Sequence, residues 1–208
     1  MRRLQKKHPL AIRWFHWINF PLLALMIWSG ILIYWAWPAY APVKLDQTTW
    51  RALHVNNRLA EGMALHFFFM WLFLGNGVLY VVYTLLSGEW RELVPRRGTL
   101  REAWQVVLHD LRIRREPLPR RKFNGAQQIA YSAVIVMGAG SVLSGLAIYK
   151  PVQFAWLAWL FGGYQAARFV HFWLTLGYVA FFAVHLAQVA RAGWNNLRAM
   201  VIGVEVVE

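Results

Sequence analysis

The sequence predicts an all-α integral membrane protein: a four-helix transmembrane bundle with both termini in the cytoplasm. Three observations predict it. Only 15% of the 208 residues are charged, while 59% are hydrophobic and 16% aromatic; a soluble domain carries about a quarter charged residues. Four stretches lack Lys, Arg, Asp and Glu altogether: Trp14–Trp37, Met63–Leu86, Ile129–Tyr149 and Phe169–Val189. Each reaches the roughly 20 residues that an α-helix needs to cross the hydrocarbon core. The basic residues, finally, fall unevenly among the connecting segments, and this fixes an orientation.

The elements follow in order. Span one runs outward from a basic tail, residues 1–13. An outer loop, residues 38–62, opens near Pro38 and Pro42, and its second half, TTWRALHVNNRLAEG, is polar enough for a short surface helix. Span two returns to the cytoplasm. There the loop 87–128 contains LREAWQVVLHDLRIR, an amphipathic helical pattern stopped by Pro117 and Pro119. Span three leads outward to residues 150–168, where Val152–Gln165 is apolar but short and is interrupted by Gly162 and Gly163. That segment reads as interfacial or re-entrant. Span four comes back to a short C-terminal tail. The N-terminal MRRLQKK with its apolar run imitates a secretory signal, but the run is longer than the 7–15 residues of a signal h-region. No sequence repeat is evident, and residues 1–208 read as one membrane domain.

The net charge of +13 invites a nucleic-acid partner. Its distribution excludes that reading. The N-terminal tail, the 87–128 loop and the C-terminal tail hold 17 of the 22 Lys and Arg residues; the two outer loops hold 5. The positive-inside rule therefore places both termini and the central loop in the cytoplasm, with the basic loop a plain topology signal or a segment lying against anionic lipid head groups. The absence of Cys excludes c-type haem attachment, Cys-ligated iron–sulfur clusters and disulfides.

Ionisable side chains inside a span are costly and mark function by default. The spans contain four: His16, His66, His171 and His185. The topology sorts them by depth, His66 and His171 at the outer level, His16 and His185 at the inner. His171 and His185 are fourteen residues apart, which is about 21 Å of rise and a return to within roughly 40° of the same face. Span four thus offers one imidazole near each membrane surface, and another span supplies a second at each level. Two facing imidazoles per level are what bis-histidine ligation of haem iron requires. Gly30 follows His16 by fourteen residues and Gly77 follows His66 by eleven; each lies on nearly the ligand's face at the other level, where a porphyrin would need room. Zinc would want three or four ligands clustered together. His54, in the outer loop, competes with His66 as a ligand. His8 and His109 fall in cytoplasmic segments and read as solvent-facing. Arg13 and Arg168 each stand three residues before a ligand, positioned for a haem propionate or as membrane-end anchors.

HPLAIRWFHW, the KFNGAQQIAY stretch leading into span three, FGGYQAARFVHF before span four and the His-x13-His spacing resemble a bacterial family. It comprises the di-haem cytochrome b subunits of formate dehydrogenase, nickel–iron hydrogenase and thiosulfate reductase, and the likeness is greatest to the thiosulfate reductase branch. The resemblance implies two b-type haems and electron transfer between a periplasmic, molybdopterin-containing oxidoreductase and quinone. It implies an outer haem on His66 and His171, an inner haem on His16 and His185, and a quinone site by the inner haem at Asn124 and Gly125. Where relatives read Ala-Gly after that Asn, this chain reads Gly125-Ala126. The expected place is the bacterial inner membrane. Two other readings share the architecture: a stand-alone superoxide:quinone oxidoreductase, and a haem-free transport or binding protein.

Overall fold

A computed structural model describes residues 3–36, 46–55, 57–113 and 123–207 of the protein. The elements run β1 (Arg3–Lys6), α1 (Leu10–Tyr34), α2 (Gln47–Ala52), α3 (Leu59–Ser87), α4 (Trp90–Leu93), α5 (Thr99–Asp110), α6 (Gly125–Tyr149), α7 (Ala155–Leu160), α8 (Tyr164–Ile202) and β2 (Val204–Val207). The four predicted spans are α1, α3, α6 and α8, all long and apolar enough to cross a membrane. The two predicted loop helices are present as α2 and α5, and the short apolar segment holds α7. Pro38, Pro42, Pro117 and Pro119 lie outside the described residues.

The chain divides into two compact units, Met1–Val81 with Gly193–Glu208, and Val82–Ala192. In the first, α1 tolerates Pro21 within its run; neighbouring helices re-satisfy a freed carbonyl in a membrane helix. The α1 and α3 backbones approach closely because Gly62 has no side chain. A Cβ there would lie 2.8 Å from Leu32 Cβ and 3.0 Å from the Ile33 nitrogen. Asn76 of α3 donates to the Phe15 carbonyl of α1 at 3.3 Å.

The first unit also departs from the expected pair of tails. β1 and β2 form an antiparallel two-stranded sheet, with Arg3 opposite Val207 and Lys6 opposite Val204. Lys7 completes it, its Nζ reaching Glu205 at 2.6 Å and Asn196 at 3.1 Å. A glycine permits the geometry. Gly203, at φ +90°, turns the chain from α8 into β2, and its carbonyl accepts from the Lys7 amide at 2.9 Å. His8 is consequently buried, not solvent-facing, because strand pairing folds the N-terminal segment back. α8 itself runs on past Val189, across a break at Gly193 where φ is +77° and ψ 179°.

In the second unit, Asn124 caps α6 in a full capping box with Gln127, each side chain accepting from the other's backbone amide. α5 lies against the start of α6, where Gly125 is buried and a Cβ would meet the Thr99 carbonyl at 2.7 Å. Glu102 accepts from the Gly125 amide, Thr99 meets Gln128, and Gln128 and Ser132 donate to the carbonyls of Glu92 and Leu93. At the other end, Ala147 of α6, Leu157 of α7 and Ala167 of α8 form a buried apolar cluster. Asp110 anchors α5 to α8 through Gln188 at 2.7 Å and Arg191 at 3.2 Å.

Candidate functional site

In the first unit, His66 is the eighth residue of α3, and its Nδ1 lies 2.9 Å from the hydroxyl of Ser29 on α1. Ser29 is fully buried, and its hydroxyl also lies 2.7 Å from the Leu25 carbonyl and 3.1 Å from that of Met26. Carbonyls only accept, so the single hydroxyl proton is directed back into the α1 backbone. The serine oxygen must therefore accept from His66, and Nδ1 carries the proton. A neutral imidazole protonated at Nδ1 presents a lone pair at Nε2.

The second unit repeats this arrangement. His171 is the eighth residue of α8, and its Nδ1 lies 3.0 Å from the hydroxyl of Ser144 on α6. Ser144 is fully buried and donates to the Gly140 carbonyl at 2.7 Å. His171 therefore also carries its proton on Nδ1 and offers Nε2 as a base.

The glycines that follow the two serines adjoin the same rings. A Cβ on Gly30 would lie 3.7 Å from His66 Cε1, and one on Gly145 would lie 3.3 Å from His171 Cε1. Gly77 has open space where its Cβ would be. His16 meets Trp17 edge-on at 5.2 Å, and His185 stacks on Phe181 at 5.8 Å with the rings 12° apart. The two predicted inner histidines thus border aromatic rings, whereas the two outer ones face serine hydroxyls.

The remaining candidates have local partners. Arg13 donates to the Val201 carbonyl at 2.6 Å and lies beneath Gly203. Arg168 donates to Gln165 and sits over the Tyr164 ring. Asn124 is the α6 cap and Gly125 the contact point with α5. His54 occupies an exposed turn after α2, at φ +51°, while His66 lies within a span.

Sequence reasoning missed Ser29, Ser144 and Gly145. The signal was a short internal repeat, contrary to the expectation of none: Ser29-Gly30-Ile31-Leu32-Ile33-Tyr34 recurs as Ser144-Gly145-Leu146-Ala147-Ile148-Tyr149. Both copies end a helix of 25 residues. The match is short and mostly apolar, so in a membrane chain it resembles background.

The donor set suits haem iron: neutral imidazoles with a basic Nε2, each oriented by a hydrogen bond on the opposite nitrogen and flanked by a glycine. Comparison with known proteins agrees. Residues 7–203 match the family model described as prokaryotic cytochrome b561. A protein of Azospira oryzae named as a putative protein-methionine-sulfoxide reductase subunit, YedZ1, is 34% identical over 200 residues, covering 94% of this chain and 96% of that protein. The chain belongs to the prokaryotic cytochrome b561 family, and is thus a multi-pass electron-transfer protein of the bacterial inner membrane that binds b-type haem.

Proposed function

We propose that this chain is the di-haem membrane subunit of a two-part oxidoreductase. It connects the quinone pool to a periplasmic, molybdopterin-containing partner of the class that reduces protein methionine sulfoxide. The sulfoxide class rests on the name of the Azospira oryzae relative. The observation that carries haem ligation is the pairing of Nδ1 of His66 and His171 with the buried hydroxyls of Ser29 and Ser144, which assigns the proton to Nδ1 and the lone pair to Nε2. His66 and His171 hold an outer haem, and His16 and His185 an inner one. When bound, haem supplies the one-electron redox chemistry. The chain's residues would hold and orient it: the imidazoles would bind the iron, Gly30 and Gly77 would leave room for the ring, and Arg13 and Arg168 stand one turn before a ligand each. Quinol oxidation near Asn124 and Gly125 releases two electrons and two protons. Reduction of a sulfoxide by the partner takes up two of each and yields a thioether and water. Both termini face the cytoplasm, following the basic-residue count.

Haem content and dithionite-reduced spectra of the purified full chain test this, for the wild type and for His171→Ala and His185→Ala. Two b haems per chain are expected, with a different one lost or spectrally altered in each variant. A wild type with fewer than two, or a stoichiometry untouched by either substitution, overturns the ligand assignment.

A further inference from the structure

We propose that Ser29 and Ser144 are a matched pair of positioning residues for the two axial ligands of one and the same haem, fixing both imidazole tautomers and lowering that haem's midpoint potential. The inference rests on the haem reading above and goes beyond it, because the serines touch no iron themselves.

Register ties the two serines together. Ser29 is the twentieth residue of the 25-residue α1, and Ser144 the twentieth of the 25-residue α6. His66 and His171 are each the eighth residue of their helices. Successive spans alternate in direction, so the first and third cross the bilayer the same way. Each Ser–His pair thus joins the same two positions of a span and of the span that follows it. The packing beside them is also in register. Leu32 meets Gly62 in the first unit, and Ala147 clusters with Ala167 in the second, at matching helix positions with the side-chain bulk shared differently.

Burial argues that the hydroxyls serve the rings. Each serine is 0% exposed and already satisfies its proton within its own helix. Alanine would fill either place without bringing an oxygen into an apolar layer. A buried oxygen at 2.9 Å from one imidazole and 3.0 Å from the other, arising twice, is accounted for by what it accepts. Accepting the Nδ1 proton increases electron donation from Nε2. That stabilises ferric over ferrous iron and lowers the potential. Ser29 and Ser144 meet His66 and His171, so the effect falls on the haem that those two ligate.

The test uses the purified full chain with its haems, as Ser29→Ala, Ser144→Ala, the double variant, Ser29→Thr and Ser144→Thr. Haem stoichiometry, a redox titration followed at the α-band and the low-spin ferric EPR spectrum are the readouts. The Ala variants are expected to raise the midpoint of the same component, the double variant more than either, with the other component unmoved. The Thr variants, which keep the hydroxyl, should titrate as wild type. Loss of that one haem from the Ala variants but not from the Thr variants supports the proposal equally. Retained haem with unchanged midpoints and g values overturns it, as do the two Ala variants acting on different components. Haem loss from Ala and Thr variants alike also overturns it, since a packing role suffices. A wild type without two haems defeats the parent reading first, and this proposal with it, before any variant is made.

Discussion

A single methyl group separates tolerated from damaging change at the helix contacts. Gly62→Ala puts a Cβ 2.8 Å from Leu32 Cβ and against the Ile33 backbone, and overpacking of this kind costs roughly 1–3 kcal/mol. Its thermal unfolding temperature in detergent should fall below wild type. Adding Leu32→Ala recreates the Ala147–Ala167 pair of the second unit, and the double variant should regain part of the loss. A double variant less stable than Gly62→Ala alone would contradict the equivalence of the two helix contacts. Near the imidazoles the contrast is finer. Gly145→Ala crowds His171 at 3.3 Å, whereas Gly30→Ala makes only ordinary contact with His66 at 3.7 Å. At this scale the histidines were legible because an imidazole in a charge-free span stands out. The serines were not, because a hydroxyl bonded to its own helix costs little in an apolar run and its cross-helix contact depends on packing.

The helix caps make their own predictions. Asn124→Ala removes the acceptor of the α6 capping box, a loss of about 1 kcal/mol by the usual measure of such caps. Asn124→Asp keeps the acceptor and should restore stability, so a quinone defect common to both variants would belong to the site and not to the cap. Asp46 caps α2 by accepting from the amides of Thr48 and Thr49 and from the Thr49 hydroxyl, and these bonds hold its carboxyl below the usual range. A depressed acid stabilises above its unfolded pKa and ceases to do so as the pH falls through the folded value. α2 should therefore keep its cap above about pH 4 and lose it as the medium becomes more acid. Amide exchange at Thr48 and Thr49 would show it; protection that persists unchanged to pH 2 would contradict the cap. All four spans were legible as helices from their length and lack of charge. Their ends were not: α1 closes at Tyr34, short of Trp37, and α8 continues to Ile202, because helix ends answer to caps and turns more than to hydropathy.

Across the chain, the pairing of β1 with β2 brings Arg3–Lys6 and Val204–Val207 to one place. Because the protein has no Cys, a single cysteine introduced at Gln5 or at Glu205 can be labelled cleanly in oriented membrane vesicles. Both should react from the same side, the cytoplasmic one by the basic-residue count. Labelling from opposite sides would contradict the sheet. The basic-residue asymmetry gave an expected orientation, but the terminal strands went unread. Four-residue segments such as RLQK and VEVV have no periodicity of their own and acquire structure only from each other.

That pairing also orders how the protein is made. The first unit is assembled from residues 1–81 and from residue 193 onward, so a segment that leaves the ribosome before the second unit waits for one that leaves after it. α1 and α3 can enter the bilayer while translation continues, yet β1 has no strand to join, and Lys7 no Glu205 to meet, until the second unit has been synthesised in between. A chain stalled after α6 would carry the Ser29–His66 pair without the terminal clasp. Closure of the N-terminal unit is thereby a late event in biogenesis.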